Sequence, residues 1–347
     1  MVELIEILKL YSKYKDIKEG YINNRTGKIV IPTKNDDYYE YHMLTPEDVV
    51  KHNIGTNYDI SNLLLYELDK KGIGAKSLDI CIIDSKDRIV NARSCVIVDK
   101  YIIDCSRTET SGVYYTNDLK IFIDYIMCVS YSGKYHVMVR EYDYIQSKMF
   151  YNIPWFKFND KMYIDNRKMI YNYTRVFTKE YIDSNIKDKL LKSVSSDVVM
   201  YHGSKNKFKE LTTHNSYSHP EFGKIAFASP NKQMATVFST DWRDDVMKLS
   251  SDHKNNKNKP LVFSVYMIGE IDYMSPAYVH KIKNDGKWFN IIGRTEECIR
   301  MESAKVIKTT EYKTYQDALI KNGIKVFDYK TKRRYKNIHE WSNRIKD

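Results

Sequence analysis

Apolar residues recur at helical spacing near the start of the chain. Residues 2–15 carry this pattern, which predicts an N-terminal helix. Thr45 followed by Pro46 is a helix start signal, because threonine caps a helix N-terminus and proline suits its first turn. Residues 61–71 continue the helical pattern and end in two lysines and a glycine, which are favoured at a helix C-terminus. The chain is therefore predicted to begin with helices.

From residue 78 the pattern changes to one that is typical of strands. Three β-rich runs lie at 78–83, 94–98 and 101–105, and turns rich in Asp and Lys separate them. A helix followed by such runs predicts a small antiparallel sheet.

The length of 347 residues is sufficient for two domains that each bury a core. The predicted domains are 1–145 and 197–328, joined by an aromatic-rich junction at 146–196. Aromatic residues at this density more often pack domains together than bind a ligand. Residues 329–347 are predicted to be a basic tail, and the predicted fold class is α+β.

Charge favours an acidic partner. Lys and Arg number 56 against 45 Asp and Glu, a net charge of +11, which suits nucleic acid or a nucleotide. Lysine that only keeps the chain in solution is the alternative interpretation. A basic cluster near the C-terminus would contact phosphates or be solvated, and consists of Lys330, Lys332, Arg333, Arg334 and Lys336.

Cysteine usage and hydropathy bear on the compartment. The 5 cysteines form no CxxC pair, which argues against a disulfide framework and a thiolate zinc site and favours a reducing compartment. No run approaches the ~20 apolar residues of a membrane span, so no membrane partner is expected. His214 and His219 match no recurrent metal-site spacing, and no metal is predicted. The 30 tyrosines and few prolines are typical of an AT-rich coding sequence, which predicts a low-GC bacterium or its phage and a cytoplasmic or virion location.

The run 55–59 and the later strand ending in Asp104 resemble the catalytic region of transglutaminase-like and papain-like folds. In that family a cysteine begins the helix, where the helix dipole stabilises its thiolate. Asn57 holds this position here, and Arg93 stands in the region of the family's histidine. The resemblance therefore implies a degenerate domain without thiol chemistry.

Two strand cysteines offer a relocated nucleophile in this first domain. Cys95 and Cys105 both fall within predicted strands. A buried and inert thiol is the preferred interpretation of each, because strand cysteines usually pack as small apolar residues.

The run Tyr201–Ser204, which contains a His-Gly pair, is similar to the first motif of ADP-ribosyltransferases of the diphtheria-toxin and poly(ADP-ribose) polymerase type. Runs 223–228 and 234–238 resemble the second motif, a strand followed by a helix with aromatic walls. The resemblance implies a split-sheet domain that takes NAD as its substrate.

Roles for individual residues follow from this resemblance. His202 would hydrogen-bond a ribose hydroxyl, Gly203 would let the backbone approach the nicotinamide amide, and Phe238 would stack on its ring. Ala226 stands where the family has a strand tyrosine, with Phe227 beside it. The predicted cofactor-binding residues are Tyr201, His202, Gly203, Ser204, Phe227, Ser229 and Phe238.

The family's third motif supplies a carboxylate that stabilises the charge developing as nicotinamide leaves. Glu296, Glu297 and Glu302 are the candidates. Glu302 is preferred because it stands just before a predicted strand, and three solvated glutamates are the alternative.

The predicted function is NAD-dependent transfer of ADP-ribose to a macromolecular acceptor, protein or nucleic acid, with His202 and Glu302 as catalytic residues. Residue usage suggests a phage effector that acts on host components. The alternative is a non-enzymatic virion or assembly protein that reuses two inactive enzyme folds and joins a larger complex, which the Asn57 and Ala226 departures favour. A basic nucleic-acid-binding protein is a third interpretation, on charge alone.

Overall fold

The computed structural model describes residues 4–32, 41–84, 86, 89–130, 135–151, 168–173, 186–241, 247–251, 263–267, 272–294 and 296–328. The chain divides into two compact units, Met1–Ser193 and Val194–Asp347. Most of the predicted junction at 146–196 and the whole predicted tail at 329–347 lie outside the described residues. The start of the second unit lies close to the residue 197 predicted from sequence.

The fold is mixed α+β, with several sheets. The helices are α1 (Leu4–Tyr14), α2 (Pro46–His52), α3 (Asn57–Asp69), α4 (Leu119–Ser130), α5 (Tyr144–Ser147), α6 (Lys232–Val237) and α7 (Tyr315–Lys321). Short 3-10 helices lie at Lys148–Phe150 and Pro220–Phe222.

The strands of the first unit are β1 (Lys18–Glu19), β2 (Tyr21–Ile22), β3 (Ile29–Val30), β4 (Ile54–Gly55), β5 (Lys76–Asp84), β6 (Ile89–Val98), β7 (Tyr101–Asp104), β8 (Gly112–Tyr115), β9 (Tyr135–Tyr142), β10 (Lys168–Tyr173) and β11 (Leu191–Ser193). Its main sheet has the order β10-β9-β5-β6-β7-β8-β11, with antiparallel neighbours. The predicted run of helix and then antiparallel sheet is confirmed.

Local signals explain how the helices of the first unit begin. The Thr45 hydroxyl accepts a hydrogen bond from the backbone of Asp48, as its predicted role as an N-cap requires. Helix α3 begins at Asn57, one turn before the predicted residue 61, because Thr56 and Asp59 form a capping box. Its buried face shares one apolar cluster with strands β6 and β7.

The strands of the second unit are β12 (Met200–Ser204), β13 (Glu210–Leu211), β14 (His214–Asn215), β15 (Lys224–Ala228), β16 (Met247–Ser251), β17 (Phe263–Met267), β18 (Ala277–Ile282), β19 (Phe289–Ile291), β20 (Cys298–Arg300), β21 (Ala304–Tyr312) and β22 (Lys325–Asp328). They form the ladders β12-β18-β21-β13, β19-β20-β15-β14 and β16-β17-β22. In the second ladder, β15 and β20 pair antiparallel with Ala228 opposite Cys298.

Strand β12 and strand β15 meet where β15 ends. The backbones of Tyr201 and Ser229 exchange two hydrogen bonds, both 2.8 Å long. Helix α6 begins just after this point, where the Asn231 side chain caps it by accepting from Gln233 and Met234. The first motif and the second motif are thereby joined at one place, although about 25 residues separate them along the chain.

Candidate functional site

A cavity of about 340 Å³ opens in the second unit, at the place where strands β12 and β15 meet. It lies within the size range of small-molecule sites, roughly 300–1,000 Å³. This first cavity is lined by Tyr201, His202, Gly203, Ser218, Phe227, Ala228, Ser229, Met234, Ala235, Phe238 and Glu297. Its walls are mainly aromatic and apolar, with a few polar groups, as expected for the site of a flat organic ring.

The glycine of the first motif permits a close approach between β12 and α6. A Cβ atom at Gly203 would lie 1.7 Å from the carbonyl oxygen of Ala235 and 2.8 Å from the amide nitrogen of Ser239. Both are backbone atoms, so no side-chain movement could relieve the collision. Gly203 also lines the first cavity, so its lack of a side chain both admits the helix and leaves the cavity wall as backbone.

The ring of His202 has a defined tautomer. Its Nδ1 lies 2.7 Å from the carbonyl oxygen of Phe227. Because a carbonyl oxygen only accepts, Nδ1 carries the proton and Nε2 has a free lone pair. Burial lowers the pKa of His202 to about 4. The imidazole is therefore neutral at pH 7, and its Nε2 can accept a hydrogen bond from a ligand hydroxyl.

Aromatic side chains come to the first cavity from three elements. Tyr201 belongs to β12, Phe227 to β15, and Phe238 is the C-cap residue of α6. Ala226, which the resemblance aligns with a strand tyrosine, is buried in an apolar cluster. Phe227 supplies an aromatic wall from the same strand, one position along.

A second cavity of about 350 Å³ shares His202 and Phe227 with the first. Its other lining residues are more polar: Ser204, Asn206, Phe208, Glu210, Leu211, Thr212, His214, Asn215, Ile225 and Ala226. The ring of Phe208 lies 5.7 Å from that of His202. Ser204 therefore belongs to the second cavity, whereas the other predicted cofactor-binding residues line the first.

Glu302, the acidic residue preferred from sequence, does not line either cavity. The Glu302 side chain is 58% exposed, and its Oε2 lies 2.7 Å from Lys287 Nζ and 3.7 Å from Arg300. Those cations hold it in an ion pair at the start of strand β21. The predicted gathering of His202, Phe238 and Glu302 at one cleft is not found.

Glu297 is the carboxylate that the structure brings to the first cavity. It immediately precedes β20, and the pairing of Cys298 with Ala228 carries it to the end of β15. Its side chain is 23% exposed. Sequence patterns missed this placement because β20 is three residues long and its pairing with β15 is distant in sequence.

His219 is a second residue whose environment the sequence did not reveal. A His-Pro dipeptide suggested a loop, and Pro220 does begin a short 3-10 helix. The His219 side chain is nevertheless fully buried, with a glutamate carboxylate 3.5 Å from each ring nitrogen. Among the described residues, no group of three or more His, Cys, Asp and Glu has the arrangement of a metal site.

In the first unit, the residues that resemble a catalytic triad form a buried ion pair. Arg93 lies 3.6 Å from Asp104, with both side chains almost fully buried. The guanidinium also donates to the hydroxyls of Ser106, Thr108 and Thr110. A guanidinium keeps its proton in proteins and cannot act as a general base, so the arrangement is structural.

The two strand cysteines of the first unit are buried, as preferred from sequence. Cys95 is 0% exposed and Cys105 is 2% exposed. Burial raises the pKa of each thiol well above its usual range. Both stay protonated at neutral pH and are poor nucleophiles.

Comparison with protein-family profiles gives no match to this chain. Comparisons with curated proteins and with solved structures give no significant match either. None of the helices in the described part of the chain combines the length and apolar character needed to cross a membrane. The first cavity is therefore the feature of the molecule from which a function is inferred.

Proposed function

We propose that the second unit is an NAD-dependent ADP-ribosyltransferase, with the nicotinamide half of NAD held in the first cavity. The observation that carries this proposal is the convergence of a His-Gly strand, three aromatic walls and one carboxylate on a single cavity. They come from β12, β15, the end of α6 and the residue before β20. Together they match the groups that cleavage of a nicotinamide glycosidic bond needs.

Substrate binding would use the aromatic walls and the backbone of β12. Phe238, Phe227 and Tyr201 offer π faces to the cationic nicotinamide ring. Gly203 contributes only backbone to the wall of the first cavity, so its polar groups would meet the nicotinamide amide. His202 is neutral, and its Nε2 would accept a hydrogen bond from a ribose hydroxyl at the boundary with the second cavity.

Glu297 takes the role that the sequence resemblance gave to Glu302. Its carboxylate would stabilise the positive charge on the ribose as the bond to nicotinamide breaks and the bonding electrons leave with the neutral ring. The ribose carbon then bonds to a nucleophile of the acceptor, or to water, and Glu297 is placed to take the proton that this nucleophile releases.

The first unit supports a second, non-catalytic role within the same protein. Its triad-like positions hold Asn57 and the buried Arg93–Asp104 pair, which favours a rigid module for docking or assembly. The first unit would serve assembly into a virion or a larger complex. The second unit would transfer ADP-ribose to a macromolecular acceptor, either protein or nucleic acid.

The test measures release of nicotinamide from NAD by the purified wild type and by three variants, Glu297→Gln, Glu302→Gln and Glu311→Gln. Glu297→Gln is expected to lower turnover by ~10²–10³-fold with little change in NAD affinity, because the lost carboxylate acts mainly in the transition state. Glu302→Gln tests the sequence-based assignment, and Glu311→Gln is an exposed control that lies outside both cavities.

Loss of turnover in Glu302→Gln with normal turnover in Glu297→Gln would restore the sequence-based assignment. A wild type that neither binds NAD nor releases nicotinamide would leave the assembly role as the function of the whole chain. Labelled NAD and a bacterial lysate, treated with protease or with nuclease, would then separate protein from nucleic-acid acceptors.

A further inference from the structure

His219 lies between two carboxylates next to the first cavity. Its Nδ1 is 3.5 Å from Glu221 Oε1, and its Nε2 is 3.5 Å from Glu297 Oε1. The rings of Phe222 and Phe227 lie near it, with centroids 6.1 and 6.0 Å away. The buried His219 ring therefore lies between Glu297, which lines the first cavity, and Glu221, which does not.

Neither nitrogen of the His219 ring has a hydrogen-bond partner in this conformation. A buried polar atom is unfavourable when it has no hydrogen-bond partner. Each nitrogen faces a carboxylate oxygen, which is able to accept a hydrogen bond from a ring N–H. The arrangement therefore suits a ring that links the two carboxylates.

We propose that His219 is the positioning residue for Glu297. From its place between Glu221 and Glu297, the ring holds the Glu297 carboxylate oriented toward the first cavity. This inference rests on the proposed function, in which Glu297 stabilises charge on the ribose. His219 is not among the residues that line the cavity, so it acts through Glu297 and not on the substrate.

The experiment measures nicotinamide release from NAD in water by wild type, His219→Gln, Glu297→Gln and the double variant. His219→Gln is expected to lower kcat about tenfold and to leave KM for NAD within about twofold, because a positioning contact contributes less than the ~10²–10³-fold of a direct electrostatic partner.

The double variant separates positioning from a purely structural role. If His219 acts only through Glu297, the double variant should be no slower than Glu297→Gln alone. Multiplied losses in the double variant would overturn the proposal. Full turnover by His219→Gln would overturn it while leaving the proposed function intact, whereas a wild type without turnover would overturn both.

Glu221→Gln provides a second variant if His219→Gln does not fold. Glu221 is 38% exposed, so its substitution is expected to be tolerated. Removal of this carboxylate takes away one of the two groups that face the His219 ring, so kcat should fall while KM for NAD stays within about twofold. Glu311→Gln is the exposed control, and equal kcat in both variants would contradict the proposal.

Discussion

A methyl group at position 203 would collide with the backbone of helix α6. We predict that Gly203→Ala lowers the free energy of unfolding of the second unit by about 3 kcal/mol. The added methyl group would overlap backbone atoms, and no side-chain rotation could relieve that overlap. Urea unfolding measures this change. Gly74→Ala is the control, since a Cβ there meets nothing within 4 Å, and equal stability of the two variants would refute the close contact.

Individual site residues differ in how far the sequence could specify them. The His-Gly pair was predictable because its chemistry is carried by two adjacent residues on one strand. Glu297 was one of three candidate glutamates, but the choice among them was not predictable, because its position depends on the pairing of β20 with β15, and such long-range register is not encoded in local spacing. His219 looked like a loop histidine because the carboxylate of Glu297 reaches it from 78 residues further along the chain.

At the scale of elements, the sequence predicted helix starts more accurately than the pairing of strands. Thr45 caps α2 as predicted, since a cap is formed by neighbours in sequence. The hydrophobic period placed the start of α3 one turn late, at residue 61, whereas the resemblance placed it at Asn57, where the Thr56 and Asp59 capping box begins the helix. Strands β5 and β6 proved longer than the runs that predicted them, because pairing in the centre of a sheet extends them.

Arg93 on strand β6 and Asp104 on strand β7 form a buried ion pair in the first unit. Arg93→Met should destabilise this unit by about 3–5 kcal/mol, because Asp104 would be left as a buried charge without its partner. Chemical denaturation of the variant measures the loss. The double variant Arg93→Met with Asp104→Asn should regain much of the stability.

Arg25→Met is the matched control on an exposed arginine. If Arg93→Met and Arg25→Met were equally stable, the buried pair would not be a structural element. The triad-like positions of the first unit would then need a different explanation.

At the scale of the whole molecule, the α+β class followed from the change of hydrophobic period along the chain. Composition and length favoured two units, and the structure divides into two near residue 194. The pairing order of the strands was not predictable, because non-consecutive strands such as β12, β18 and β21 are brought together by the fold and not by turns. The basic cluster at 330–336 lies outside the described residues, so its predicted role is unchanged.

Titration calorimetry with NAD tests the central claim, that the first cavity binds the nicotinamide half of this dinucleotide. We predict one binding site in the wild type, and a Kd about tenfold higher in Phe238→Ala, because an aromatic wall over a cationic ring contributes about 1–1.5 kcal/mol. Glu311→Gln should bind as the wild type does. Absence of NAD binding by a folded wild type, or equal affinity in Phe238→Ala, would contradict the account.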